Sequence, residues 1–219
     1  MSGPEWAALL FVAAAMSFTP GPNTTLAAAL GANHGLRHAM RFVLGVPVGW
    51  GFVLAASALG LGAVLQAAPV LRVALKWAGV GYLLWLAWRL AATSRLPAAG
   101  EPGRFDVGFG QGVLLQFVNV KAWVLALVVS VGWINGAEAA SPAATAAGAA
   151  SFSAVVPATW SRLAQVLPVL MLFALASNLT YAGVGAALRR WLAAGRRLAH
   201  FNRALALLLA GTALWMAWA

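Results

Sequence analysis

This chain of 219 residues has no cysteine and only four acidic residues. Without cysteine there is no disulfide, no thiolate nucleophile and no cysteine-ligated metal centre. Four acids and three histidines leave little material for a metal site or for paired acid–base chemistry. Charged residues make up 8% of the chain, whereas a soluble domain carries about 25%. Period-two alternation is missing as well, which argues against a transmembrane barrel. So are a triad-like cluster, a His/Asp metal set and a glycine-rich phosphate loop, and no cofactor or metal is expected.

What is there is apolar. Hydrophobic residues reach 63%, and the mean hydropathy is +0.86. One soluble core of this length cannot hide so much apolar surface, and lipid is the alternative solvent. The formal charge of +10 sits between the apolar runs. There it serves as a topology signal and a contact for anionic head groups, not as a nucleic-acid surface.

Six apolar segments run roughly over Trp6–Leu30, Ala39–Gln66, Val70–Ala92, Gly108–Trp133, Leu163–Leu188 and Ala204–Ala219. Lipid leaves backbone groups no partner but each other, so these are expected to be helices. The fold expected is an all-α integral membrane protein of six transmembrane helices. The first segment, which carries Glu5 and no basic n-region, is read as a membrane helix, not a cleaved signal peptide. A polar Pro/Gly-rich linker at 93–107 separates residues 1–92 from 108–219. An Ala/Ser-rich run, Asn135 to Ser161, is expected to be mobile, and the basic stretch Arg189 to Arg203 to be an interfacial helix.

On one side of the membrane the connections hold Arg37, Arg41, Arg89, Arg95, Arg104, Arg189, Arg190, Arg196, Arg197 and Arg203. The other side holds Arg72, Lys76 and Arg162. The bias places both termini outside the cytoplasm. A repeat supports two halves: "GYLLWLAW", Gly81 to Trp88, matches "GTALWMAW", Gly211 to Trp218, and Phe18–Asn23 weakly echoes Phe117–Lys121. Three spans per half is an odd number, so the halves cross in opposite senses, as in inverted-repeat transporters.

The first and fourth segments interrupt themselves. In "FTPGPN", Pro20 and Pro22 remove donors four residues downstream of Met16 and Phe18, and Gly21 permits unusual backbone angles. Thr19 and Asn23 add polar groups at the same depth, and a helix starting after Pro22 presents N–H groups to a carboxylate. The alternative is a structural kink. In "LLQFVNVKAWVL", Gln116, Asn119 and Lys121 lie mid-span. Lys121 either snorkels or faces a wet cavity and meets a substrate carboxylate; it also ranks among lysines whose proton is readily lost. Paired interruptions in two halves point to a binding site near the midplane. In segment five, Asn178, with Ser177 and Tyr181, either lines that cavity or bonds helix to helix. The histidines fall in connections and are expected to be solvated. The pairs Gly31/Gly35, Gly45/Gly49 and Gly108/Gly112 are expected to let helices approach closely, and Trp85 and Trp88 to sit in an aromatic belt or line a pore.

Taken together, "FTPGPN", the glycine-spaced Gly31–Gly49 stretch, Leu59–Leu90 with Lys76, Gly79 and Tyr82, and "GFGQGVLLQFVNVKAW" resemble the lysine exporter and homoserine/threonine exporter family (LysE/RhtB translocators) over nearly the whole length. Val120 stands where that family usually has proline. This departure bears on the second helix break but not on Asn119 and Lys121, which match. The resemblance implies efflux of amino acids or close derivatives driven by the proton motive force, in the inner membrane, often as a homodimer. The residues alone reach an inverted-repeat carrier for a small anionic or zwitterionic solute. Phe18, Thr19, Pro20, Gly21, Pro22, Asn23, Gln116, Asn119, Lys121 and Asn178 are the substrate-binding candidates. No acid lies mid-span, so neutral amino acids are expected over lysine or arginine. For the same reason Asp106 or Lys121 must carry any proton coupling. The rivals are a membrane-embedded enzyme acting on lipid, a non-transporting assembly factor, and a channel, which saturable counter-transport distinguishes from a carrier.

Overall fold

Ser2 and Glu5 stand three residues apart ahead of an apolar run, the pattern of a capping box. Helix α1, Gly3–Phe18, begins there: the Glu5 carboxylate accepts from the Ser2 N–H at 2.6 Å, and the Ser2 hydroxyl accepts from the Glu5 N–H at 3.4 Å. The helix ends at Thr19, which is extended (φ −65°, ψ 128°), as a residue before proline must be. Gly21 is extended as well (φ −169°, ψ −174°), and Pro22 opens helix α2, Pro22–His34. At that first position the missing proline N–H removes no intrahelical bond. Any residue adopts such an extended backbone, so the break does not use the unusual angles expected of Gly21. It comes from the two prolines.

The remaining helices are α3 (Leu36–Ala58), α4 (Pro69–Ala91), α5 (Phe109–Val118), α6 (Val120–Val129), α7 (Phe152–Leu192) and α8 (Arg197–Trp218), with a π-turn over Ser130–Ile134 after α6. This computed structural model describes residues 1–60, 68–96, 105–135 and 152–218, the stretch 152–158 by its backbone alone. The Gln66 end of the second apolar segment, Glu101 and Arg104 of the linker, and Glu138 with most of the Ala/Ser-rich run lie outside the described residues. Among the described residues the structure is helical throughout. Four helices are long and apolar enough to cross a membrane, and five when α5 and α6 with the π-turn, bent by 71°, are taken as one broken span. The first apolar segment is the shorter α1 followed, beyond the break, by α2.

The sequence placed an interfacial helix over Arg189 to Arg203, and the structure corrects this. Helix α7 runs on to Leu192, Gly195 turns the chain at φ +61°, and α8 starts at Arg197. A glycine at the one position needing a left-handed residue lets two long helices meet directly. The Arg197 guanidinium then lies over the Trp191 ring, 4.8 Å from its centroid.

Small residues set the helix contacts. A Cβ added to Gly31 of α2 would strike the Ala182 carbonyl of α7, and one at Gly185 of α7 would strike the Ala28 carbonyl of α2. Gly45 and Gly49 of α3 meet Phe109 and Val113 of α5 in the same way. The Gly31, Gly45, Gly49 and Gly112 positions therefore do serve close approach within the chain, while Gly35 instead makes the α2–α3 turn at φ +85°.

Among the described residues two large apolar cores result, with a smaller cluster of Ala32, Leu192 and Leu198 beside them. One gathers Leu26, Leu30, Phe42, Val46, Leu83, Leu86, Leu115 and Leu209; the other gathers Leu9, Trp50, Leu54, Ala126, Val129, Leu163 and Val166. Along α3 the change from one to the other falls between Val46 and Trp50. The outer surface carries large apolar side chains such as Phe11, Val70, Trp88 and Leu207, each more than two-thirds exposed, as a lipid-facing surface requires. Trp85, partly exposed, stacks on Tyr82 under the Arg89 guanidinium, and neither Trp85 nor Trp88 lines a cavity described below.

Candidate functional site

A helix that stops inside lipid leaves carbonyls bare, and each must find a donor. At the end of α1 three side chains supply them. The Ser177 hydroxyl donates to the Ser17 carbonyl at 2.6 Å, the Tyr181 hydroxyl to the Phe18 carbonyl at 3.0 Å, and the Lys121 ammonium to the Thr19 carbonyl at 3.4 Å. Ser177 and Tyr181 are thus helix-to-helix ties from α7. Lys121 crosses from the other half of the sequence to the Pro-Gly-Pro turn.

The second break forms without proline. Asn119 is extended (φ −86°, ψ 101°), and its Oδ1 accepts from the Lys121 N–H at 3.2 Å, the hydrogen bond of an N-cap asparagine. The Trp123 indole N–H donates to the Phe117 carbonyl at 2.8 Å, so a carbonyl left by the break is satisfied. Asparagine and tryptophan together do what Val120 cannot.

Between the breaks, where the two cores meet, lies a partly open hollow whose empty space, open mouth included, is about 590 Å³. Of the candidates, Thr19, Gly21, Pro22, Asn23, Asn119, Lys121 and Asn178 line it. Asn178 contributes a buried side chain; its Nδ2 donates to the Ala174 carbonyl at 2.8 Å, and its Oδ1 is buried without a partner. Gln116 stays just behind the lining: fully buried, it exchanges two hydrogen bonds of 3.0 Å with the Asn23 amide. Pro20 faces a second, more open groove of about 1120 Å³ that shares Thr19, Gly21, Pro22 and Lys121 and is walled by Leu207, Leu208, Gly211 and Trp215 of α8. Phe18 lines neither, its backbone carbonyl being held by Tyr181. Among the described residues, no acidic side chain lines the hollow.

Asp106 lies apart from this hollow, at the entrance to α5, and pairs with His38 at 2.7 Å. Burial pushes its carboxyl upward, but the hydrogen bond and charge of His38, with Arg41 and His34 nearby, hold it below its ordinary value of 3.8. His34 stacks on His38 with centroids 4.6 Å apart, and its Nε2 meets the Phe105 carbonyl at 2.5 Å. Burial draws His34 below its usual 6.5 despite that carbonyl. Two of the three histidines expected to be solvated are therefore engaged, because the chain before α5 folds back onto the α2–α3 turn.

A family model for the LysE type translocator matches residues 14–218, a stretch that contains both breaks and every lining residue of the hollow. The chain belongs to the LysE type translocator family. It is a multi-pass membrane protein, similar to cysteine/O-acetylserine efflux proteins. One from Klebsiella pneumoniae is 38% identical over 105 residues, covering 48% of this chain and 53% of that protein. Those of Salmonella choleraesuis and Escherichia coli K12 are 34% and 33% identical, each match covering 55% of this chain and 66% of the relative. The matched stretch thus spans between half and two-thirds of these curated relatives. No solved structure matches the chain.

Several lining residues escape sequence reasoning. Met16, Trp50, Ala122, Leu125, Leu170 and Ala174 form the apolar wall. Only the depth of the two breaks hints at them: residues level with position 21 on neighbouring helices are bound to face the gap. The His34–His38–Asp106 node carries a signal after the fact, a histidine at each end of one tight turn.

Proposed function

We propose that this chain is a secondary active exporter of small neutral amino acids or close derivatives. It works by alternating access between two inverted repeats, residues 1–92 and 108–219, each of three spans. The six spans are α1 with α2, α3, α4, α5 with α6, α7 and α8. The observation that carries this reading is the Lys121 ammonium beside the Pro-Gly-Pro turn, in a hollow lined from both halves and free of acids. A substrate carboxylate pairs with Lys121 and with N–H groups at the start of α2, where the helix dipole favours an anion. The relatives' names point to cysteine and O-acetylserine, both zwitterions with uncharged side chains. Such solutes suit the apolar wall of Met16, Trp50, Leu125 and Leu170. A cationic side chain finds no counter-charge there, and burying one unpaired is costly.

Drive by the proton motive force follows from the family resemblance, with Asp106 and Lys121 as the groups able to carry a proton. The arginine bias places both termini outside the cytoplasm of an inner membrane, and a homodimer is the assembly the resemblance implies. The test is counterflow in proteoliposomes with L-cysteine, O-acetyl-L-serine, L-threonine, L-leucine and L-arginine. A neutral amino acid is expected to exchange with saturation. Lys121→Met is expected to cut that exchange by about tenfold or more, the worth of a charge-assisted hydrogen bond, in protein that still folds. Arginine outrunning all four neutral solutes overturns the reading.

A further inference from the structure

Among the described residues the buried side-chain amides come in satisfied sets, with one exception. Asn23 and Gln116 bond each other twice. Asn33 and Asn202 do the same, and Asn202 adds the Thr93 carbonyl at 2.9 Å. Asn178 differs. Its residue is 3% exposed, yet its Oδ1 has no donor. The orientation is fixed chemically: the Nδ2 donates to the Ala174 carbonyl at 2.8 Å, and a flipped amide would set oxygen against oxygen. The orphan is therefore an acceptor, on a residue that lines the hollow beside Lys121. Folds avoid leaving such an atom dry, and each instance asks for an explanation.

Three backbone acceptors at the first break are taken. Ser17, Phe18 and Thr19 already receive Ser177, Tyr181 and Lys121. We propose that Asn178 Oδ1 accepts a hydrogen bond from the substrate's α-ammonium, which makes a free amine a requirement for export. This assignment rests on the exporter reading. Lys121 and Asn178 then form a two-point reader of zwitterions: a cation for the carboxylate and a neutral amide oxygen for the ammonium. A neutral acceptor suffices because the substrate brings its own counter-charge. Amine-free or N-acylated analogues keep the carboxylate contact and lose the second.

The full chain in proteoliposomes tests this with labelled L-cysteine as counterflow solute and 3-mercaptopropionate and N-acetyl-L-cysteine as competitors. The translocator's own lack of cysteine removes disulfide exchange with the protein. The unsubstituted protein is expected to prefer L-cysteine over 3-mercaptopropionate by about tenfold to a hundredfold, the range of a hydrogen bond to a charged group. Asn178→Leu brings that ratio to within about twofold by weakening L-cysteine alone. Asn178→Asp, which keeps an oxygen there and adds charge, maintains or raises it. Equal weakening of both ligands in Asn178→Leu marks a structural residue and overturns the assignment, as does an unchanged ratio. If the leucine variant fails to fold, a ratio that falls in Asn178→Asp overturns it. Where L-threonine and not L-cysteine is the solute moved, the same comparison is made with 3-hydroxybutyrate. Failure of the unsubstituted protein to move any amino acid sinks the exporter reading, and this assignment with it.

Discussion

Asn119 breaks its helix with a side chain where a proline breaks it by exclusion. The two devices are compatible at this site. Position 120 is the first residue of α6, where a backbone N–H has no intrahelical acceptor to lose. Asn119 is already extended, the conformation a following proline imposes. Val120→Pro is therefore expected to leave folding intact and to stabilise by about 0.4–1 kcal/mol, since it restricts the unfolded chain alone. A scan of thermal unfolding in detergent checks it; a drop in the midpoint would show that the Val120 side chain matters more than its backbone. At this scale the sequence is partly legible. The "FTPGPN" break and the mid-span Lys121 declare themselves, because proline and charge are costly in lipid whatever surrounds them. Asn178 is legible as a candidate but its role is not, because whether an amide oxygen is orphaned depends on neighbours four residues up its own helix and across the hollow. Trp50 is invisible for a similar reason: one tryptophan among eleven says nothing of the side it faces.

Between elements, the contacts depend on absent side chains. Helices α2 and α7 touch backbone to backbone at Gly31 and Gly185, and neither backbone can yield as a flexible side chain would. Gly31→Val is expected to cost about 3 kcal/mol or more, the upper range for overpacking, and to appear as lost expression of folded protein. Gly81→Ala, with open space around it, is the neutral comparison. The glycine spacing was readable as a sign of close approach, but not which helices would meet, since α2 pairs with α7 across a long sequence separation. The α2–α3 turn is tied to the start of α5 by a different means, the His38–Asp106 pair and the His34–Phe105 bond, with Arg41 and Arg189 as the other charges facing it. Both His34 and Asp106 have folded values below their ordinary ones. Each therefore stabilises above that ordinary value and loses its contribution as pH falls. Stability is expected to decline first as pH drops below 6.5, through His34, and again below 3.8, through Asp106. Unfolding midpoints across pH follow this directly, and His34→Gln, which keeps a donor for the Phe105 carbonyl, is expected to remove the upper step alone.

As a whole, the molecule is packed unequally on the two sides of its breaks. Toward the end where α2 meets α3, α2 is buried along its length, its glycine contacts are closed, and Asn33, Asn202 and the Thr93 carbonyl form a fully buried lock. Toward the other end the wall of the hollow includes Trp50, Leu125 and Leu170 of the second core. On the inverted-repeat reading proposed above, the two halves exchange such roles, and this arrangement is then expected to be one of a pair, closed at the Asn33 end. The absence of cysteine makes this measurable, because any introduced thiol is the sole one. A cysteine at Ala174, inside the hollow, is expected to react with a membrane-impermeant maleimide from one face only while the lock holds. Asn202→Leu removes the donor to Thr93 and the partner of Asn33 while leaving the hollow untouched. Losing a buried hydrogen-bonded amide costs about 1–3 kcal/mol, and the loss falls only on the state in which the lock is formed. A population shift of about fivefold or more toward the opposite state follows, and labelling from the other face should rise in proportion. Unaltered labelling in Asn202→Leu, with the protein folded, would mean that the two ends do not exchange through this lock and that the closed end is held by the glycine contacts alone.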